Sequence, residues 1–359
     1  MENLGLTPSF WKNKRVFLTG HTGFKGAWLA HWLHLLGAKV TGYALAPPSS
    51  PNLFELAKVG DKLTSIIADI TDAKALQQAV KAASPDIILH LAAQALVRYS
   101  YDQPVETYQT NVMGTVNILE AMRHSDTAKV LVNVTTDKCY ENKEWHWGYR
   151  ETDPLGGYDP YSSSKGCSEI VTAAYRQSYF NPANFAQHGK AIATARAGNV
   201  VGGGDWAQDR LVPDIITSLA QGNVPVIRFP YAIRPWQHVL EPLSGYLLLA
   251  EHLWEKPQEY AGAWNFGPDD EDCQPVAAVA DQLCANWGKA ASWQLSTDAH
   301  PHEASFLKLD ISKSKSLLHW RPRWRLSQTL AATVDWYQGW VNGEDAASLT
   351  TNQIKNYQN

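Results

Sequence analysis

The chain has 359 residues and a formal net charge of −4, with 31 Lys and Arg against 35 Asp and Glu. That length exceeds one small domain and suits a nucleotide-binding core with a smaller appended lobe, while the absence of a basic tail or repeated basic patch argues against nucleic acid as a partner. Residues 1–15 lack the apolar run of a signal peptide, and the longest apolar stretches, such as 87–97, are far too short to span a membrane. The expected setting is cytoplasmic, with no membrane partner.

Taken in chain order, Arg15-Val-Phe-Leu-Thr19 reads as a short buried strand and Gly20-His-Thr-Gly23-Phe-Lys-Gly26 as a glycine-rich turn. Ala27 to Leu36 reads as a helix closed by Gly37, and Lys39 to Leu45 as a second strand. Strand, glycine turn, helix and strand in this order form a dinucleotide-binding unit, because glycines permit both the turn and the close approach of a pyrophosphate to the helix N-terminus. Gly20, Gly23 and Gly26, with Thr22, Phe24 and Lys25 between them, are the expected cofactor-binding residues. The second strand runs Val40-Thr-Gly-Tyr-Ala44-Leu-Ala, without the Asp or Glu that often accepts hydrogen bonds from the adenosine ribose of NAD. No arginine lies between Arg15 and Arg98 to hold the 2′-phosphate of NADP. The expected cofactor is therefore NAD, loosely held.

Leu63 to Ala68 reads as a strand running into Asp69-Ile70, Ala73 to Ala83 as a helix, and Ile87 to Leu91 as a strand entering Ala92-Ala93-Gln94. Asp69, Ile70, Leu91, Ala92 and Ala93 are expected to line the cofactor. Glu106 to Arg123 reads as one long helix, Ala191 to Ala197 as a buried strand and Leu211 to Gln221 as a helix. The alternation predicts an α/β fold with a Rossmann-type, doubly wound parallel sheet. After Gly222 the regular alternation fades. The expected division is 1–200 for the dinucleotide-binding domain, with some later segments returning to it, and 201–359 mainly for a smaller C-terminal substrate lobe.

The segment Val130-Leu-Val-Asn-Val-Thr-Thr-Asp-Lys-Cys-Tyr140 and the later Tyr161-Ser-Ser-Ser-Lys165 bring together a hydroxyl, a carboxylate, an amine and a tyrosine–lysine pair. Asp159 as N-cap and Pro160 in the first turn place Tyr161 and Lys165 on one face of a helix start. A neighbouring ammonium and the positive helix end both favour the phenolate, so Tyr161 is expected to act as a base near neutral pH. An isolated Tyr-x-x-x-Lys is an ordinary amphipathic helix start; the upstream dinucleotide unit turns the reading toward catalysis. The 4 cysteines have no paired CxxC spacing and read as reduced thiols. The 12 histidines give no HExxH, and His300-Pro-His302-Glu303 reads as a loop, so no metal is expected.

Gly20-x-x-Gly23-x-x-Gly26, His90-Leu-Ala-Ala-Gln94, Thr110-Asn-Val-Met-Gly-Thr115, Thr136-Asp137 and Tyr161-x-x-x-Lys165 together resemble the extended short-chain dehydrogenase/reductase superfamily, in its nucleotide-sugar-modifying branch. Thr-Asp137-Lys138-Cys-Tyr140, Gly198-Asn-Val-Val-Gly-Gly-Gly-Asp-Trp206, Arg234-Pro-Trp-Gln-His238 and His300-Pro-His-Glu-Ala304 narrow the resemblance to sugar-nucleotide 4,6-dehydratases. That resemblance implies a hydro-lyase of deoxysugar and O-antigen precursor synthesis, with NAD as cofactor and CDP-glucose as substrate. It also implies a homodimer or homotetramer paired through Glu106–Arg123 and Ser164–Phe180. Tyr161, with Lys165 and Thr136, would take the C4 hydroxyl proton, and Asp137 would protonate the departing C6 hydroxyl. Gln94, Asn199, Arg210, Arg228, Arg234, Trp236, His238 and Asn265 stand at implied substrate positions, where arginines suit a diphosphate.

Lys138 stands where the better-known dTDP-glucose dehydratases carry a glutamate proposed as the C5 base. It is either that base, acting as a neutral amine, or a partner that holds Asp137 ionised. Two rival readings share part of the pattern. A nucleotide-sugar 4-epimerase shares Tyr161 and Lys165 but usually has small groups at the position of Asp137, and a silent dinucleotide sensor would have lost the tyrosine or the lysine.

Overall fold

Short apolar runs separated by helices pair in parallel, because each strand returns to the same end of the sheet through a crossover. The computed structural model describes residues 5–207, 209–288, 291–296 and 306–359. Six successive strands, β1 (Arg15–Thr19), β2 (Lys39–Ala44), β3 (Thr64–Ile67), β4 (Ile87–His90), β5 (Val130–Val134) and β6 (Ala191–Ala197), join a seventh, Ala263–Phe266. Their order is Ala263–Phe266, β6, β5, β4, β1, β2, β3, with every pair parallel. β4, β5 and β6 are buried at every residue, as expected of strands covered on both faces. This is the α/β, Rossmann-type sheet expected from the sequence. Chain order reverses beside β1, so the C-terminal ends of β1 and β4 flank the crevice where open α/β sheets bind ligands.

A second, three-stranded sheet orders Cys273–Pro275, Ile233–His238 and Asn199–Val201. Its register sets Asn199 opposite Trp236, immediately after β6 ends at Ala197. The helix Leu240–Glu255 lies against β5 and β6, so both it and the seventh strand belong to the large sheet's layer although they follow residue 201. Among the described residues no helix is long and apolar enough to cross a membrane.

The long helix expected over 106–123 is interrupted. Pro104–Tyr108 and Gly114–Arg123 are α-helical, but Gln109–Met113 forms a π turn. The wider turn accompanies an inward-facing Asn111, whose amide oxygen accepts from the Gln94 N–H at 2.9 Å and whose nitrogen donates to Gln94 O and Ser164 Oγ at 3.0 and 2.9 Å. The cause is tertiary, which periodicity does not report.

The helix Pro160–Ser178 begins as read from the sequence: Asp159 Oδ1 accepts from Ser162 N at 2.8 Å and Pro160 occupies the first turn. Further along, Glu169 pairs with Arg196 Nη2 of β6 at 2.8 Å, both side chains only 3% exposed, and also accepts from Thr135 and Thr194. Burial by itself raises the Glu169 carboxyl; Arg196 and these hydroxyls outweigh it and hold the group below its ordinary value. Glu169→Gln leaves Arg196 charged and uncompensated. A loss of roughly 3–5 kcal/mol in urea unfolding at pH 7 is expected, and an unchanged unfolding midpoint would refute it. Because the folded value is depressed, the charge's contribution is complete above about pH 4.5, the ordinary value, and is lost as pH falls through the folded one.

Candidate active site

The glycine turn follows β1 directly. Gly20 has φ +77°, and a Cβ there would come within 2.8 Å of Ala92 N. At Gly26 a Cβ would lie 2.0 Å from Gly20 O, so no side chain fits either position. Gly23 is the N-cap of the helix Phe24–Leu35 and supplies no side-chain cap, leaving the first-turn N–H groups available to an anion. Leu91 N and Ala92 N both donate to Thr19 Oγ1 at 3.1 Å, binding the end of β4 to the turn. Thr22 is spent structurally, donating to Leu45 O at 2.8 Å. Asp69 accepts from Thr71 N at 2.8 Å, and Ile70 packs against Gly114.

Sequence reading passed over His21. Its buried ring fills the space over Gly42, where a Cβ would approach to 2.4 Å, and its Nε2 bonds Ser65 Oγ at 2.7 Å. Burial lowers its pKa to about 4, so the ring is neutral at pH 7.

The five expected catalytic side chains sit beyond β5. Thr136 caps the short turn Asp137–Cys139, and its Oγ1 donates to Asp137 Oδ1 at 3.0 Å. Asp137 is 2% exposed, and its Oδ2 has no hydrogen-bond partner among the described residues. Burial raises the carboxyl above its ordinary value against the opposing pull of Lys138, Thr136, Arg234 and Lys25. Gly198 makes room for it, since a Cβ there would lie 2.9 Å from Asp137 Oδ2.

Tyr161 requires a correction. Burial pushes its phenol up to about 12, with Thr136 and Arg210 pulling the other way, so in this environment it is a phenol at neutral pH rather than the expected phenolate. Lys165 donates to Val134 O at 3.3 Å, and burial lowers its own pKa to about 8 despite Glu169. Desolvation outweighs the Thr136 hydroxyl and the Arg210 charge.

Two further groups join the cluster. The Lys25 ammonium lies 6.0 Å from the ring centre of Tyr246, and burial, with Arg210 and Lys165, lowers its pKa to about 7. Tyr246 is fully buried in Leu240–Glu255 and its hydroxyl has no hydrogen-bond partner among the described residues. Burial raises it, with Tyr161 and Asp137 adding to the effect. Nothing in its apolar sequence neighbourhood separates it from core.

The expected substrate residues divide. Arg210 Nη1 is 2.9 Å from Asp205 Oδ2 and acts electrostatically on Tyr161, while Arg228 Nη1 is 2.9 Å from Asp209 Oδ1. Arg98 reaches the same Asp209 oxygen at 3.0 Å. Arg234 acts on Asp137, and Asn199 opens the strand beside β6. Three others are corrected. Asn265 is fully buried, donates to Tyr149 O and Asp310 O at 2.8 and 3.0 Å, and accepts from Tyr140 at 2.7 Å, leaving nothing for a substrate. His238 is fully buried between Trp28 and Trp324, where burial lowers its pKa to about 3. Gln94 uses its amide on Leu96 O and Thr107. Trp236 is 4% exposed and donates to Gln274 O at 3.1 Å. His300, His302 and Glu303 lie outside the described residues.

A buried carboxyl, a hydroxyl and a phenol in sequence beside an anion-ready helix end can move protons on a ligand while a dinucleotide moves hydride. The family model described as GDP-mannose 4,6 dehydratase matches residues 17–333. The chain belongs to that family. It is 53% identical over 352 residues, 98% of each chain, to the CDP-glucose 4,6-dehydratase of Salmonella typhimurium. It is 28% identical, over 90% of this chain and 92% of the other, to the dTDP-glucose 4,6-dehydratase of Streptomyces antibioticus. Among solved structures it is similar to the dTDP-glucose 4,6-dehydratase of Streptomyces venezuelae with NAD and TYD bound, at TM-score 0.74 and 24% identity, covering 93% and 99% of the two chains. The UDP-glucose 4-epimerase of Thermotoga maritima gives TM-score 0.78 at 19% identity, covering 91% and 99%, which reports the shared fold.

Ala44, last residue of β2, offers no carboxylate to a ribose. Purified protein is expected to carry less than one NAD per chain after dialysis, with Ala44→Asp raising occupancy. Full occupancy of the unaltered protein, read by absorbance after acid release, would contradict the loose-binding expectation.

Proposed function

We propose that the protein converts CDP-glucose to CDP-4-dehydro-6-deoxyglucose with NAD as a catalytic cofactor, as a hydro-lyase of deoxysugar and O-antigen precursor synthesis. The observation that carries the reading is the buried Asp137 carboxyl, its Oδ2 without a hydrogen-bond partner among the described residues, beside Thr136 and acting on Tyr161. A 4-epimerase has no hydroxyl to expel and no need of such an acid; the name of the 53% identical relative points the same way.

The turn fits the cofactor, because a Cβ at Gly20 or Gly26 would fill the cradle and the helix behind it lacks a side-chain cap. The NAD held there would supply a hydride acceptor for C4 and a hydride donor for C6. The turn from Gly20 to Gly26 would hold its pyrophosphate, with Asp69, Ile70 and Leu91 to Ala93 along the crevice. Tyr161, once ionised against the burial that raises its phenol, takes the C4 hydroxyl proton, with Lys165 and Thr136 beside it. Oxidation at C4 makes the C5 proton acidic, and Lys138 is the base that removes it. Asp137 protonates the C6 hydroxyl as it leaves. Arg210, Arg228 and Arg234 hold the diphosphate, the first two exchanging their present aspartate partners for it. The reading includes a homodimer or homotetramer paired through 106–123 and 164–180, segments on which Met113 and Ile170 are exposed.

Purified protein with CDP-glucose and NAD should give a product lighter by one water with no net NADH. Stoichiometric NADH, or a sugar nucleotide of unchanged mass, would sink the assignment.

Variants separate the steps. Tyr161→Phe is expected to block C4 oxidation, whereas Asp137→Asn lets hydride move and bound NADH accumulate, visible in single-turnover absorbance. Lys138→Met should also stall after oxidation, without deuterium exchange at C5. Near-normal C5 exchange in Lys138→Met would make the lysine an orienting partner of Asp137.

A further inference from the structure

The proposed reaction, on which this inference rests, needs a held diphosphate, and the arginines gathered near it include one that motif spacing did not mark. Arg98 stands in the helix Val97–Asp102, reached from the end of β4, whereas Arg228 follows the strand Val226–Ile227. Both are aimed at one atom. Arg98 Nη1 lies 3.0 Å and Arg228 Nη1 2.9 Å from Asp209 Oδ1. The segment that leads to Asp209 runs against the cofactor turn, since a Cβ at Gly202 would be 3.4 Å from Phe24 Cζ.

Two guanidiniums repel each other, and an anion between them is what lets them converge. Asp209 fills that place incompletely. One carboxylate oxygen takes a single N–H from each arginine, and each guanidinium has five to give. Among the described residues the Asp209 carboxylate has no other hydrogen-bond partner. The side chains of Arg98, Asp209 and Arg228 are 44%, 44% and 24% exposed, so the group is open to a ligand and its pairs are of the weak, exchangeable kind.

The aspartate four residues earlier is built differently. Asp205 is 5% exposed, its N–H donates to Tyr337 Oη at 3.0 Å, its carbonyl accepts from the same hydroxyl, and its Oδ1 accepts from Ala207 N at 3.0 Å. Backbone and side chain of Asp205 are thus tied down, whereas the Asp209 side chain has only its two arginines.

We propose that Arg98 is a further diphosphate-binding residue and that Asp209 is a resident anion, holding Arg98 and Arg228 together in the free protein and yielding both to the diphosphate of the sugar nucleotide. Phosphate oxygens offer more charge and more acceptor positions than one carboxylate oxygen, and the arginine fork takes them in pairs. Asp209 therefore competes with the ligand: apparent affinity is that of the open arginines, reduced by the fraction of molecules in which Asp209 occupies them.

Calorimetric titration of the full chain with CDP, and separately with cytidine, tests this. Arg98→Gln is expected to weaken CDP roughly 10-fold and to leave cytidine, which has no phosphate, unchanged. Asp209 has φ +61°, a left-handed conformation that asparagine also tolerates, so Asp209→Asn removes the charge and keeps the turn. That variant should bind CDP about 5-fold tighter. An aspartate that only braces the loop would give weaker CDP binding on removal. Unchanged CDP affinity in Arg98→Gln, equal losses for CDP and cytidine in that variant, or unchanged or weaker CDP binding in Asp209→Asn would overturn the proposal. Wild type that binds CDP yet removes no water from CDP-glucose would instead remove the dehydratase reading and leave the arginine group in place.

Discussion

The buried pair between Glu169 and Arg196 is the constraint on which the site's geometry depends. It ties the helix that carries Tyr161 and Lys165 to β6, and through Thr135 it also holds the strand end that leads into Thr136 and Asp137. Arg196 extends the connection, donating to Tyr140 at 2.7 Å, and Tyr140 donates to Asn265 of the seventh strand at 2.7 Å. Phenol, lysine, hydroxyl and carboxyl are thus held by one network from three elements. Such a pair adds little net stability over an apolar replacement, but breaking it strands a charge, which makes it a device for position.

Desolvation is the dominant influence on the reacting groups, and it acts on acids and bases in opposite directions. It raises Asp137, which suits a proton donor, and lowers Lys165 and Lys25. It also raises Tyr161, which does not suit a base. The same dry environment therefore favours the role proposed for Asp137 and works against the one proposed for Tyr161. Lys25, a glycine-turn residue with its ammonium near Tyr246, adds a charge that titrates close to neutrality beside these groups.

The arginines proposed to hold a diphosphate include two that already carry aspartate partners. Asp205 holds Arg210, and Asp209 holds both Arg98 and Arg228. The pairs at Asp209 are part-exposed and exchange partners at small cost, whereas Asp205 is buried.

Local signals in the sequence determined the dinucleotide unit, the parallel sheet and the start of the catalytic helix. Gly20 and Gly26 are required by backbone contact, Asp159 and Pro160 by the unfilled donors of a helix start, and β5 and β6 by burial on both faces. Each of these rests on a rule acting within a few residues. Tertiary structure alone decided the π turn at Gln109–Met113, which depends on Asn111 meeting Gln94 and Ser164. It also decided that Asn265 and His238, set in motif-like surroundings, are wholly buried, and that Tyr246 and Lys25 reach the cluster around Asp137. Above all it decided the protonation of Tyr161. Spacing reports the nearby lysine and helix end that favour a phenolate, whereas the burial that raises the phenol depends on residues far apart in the chain.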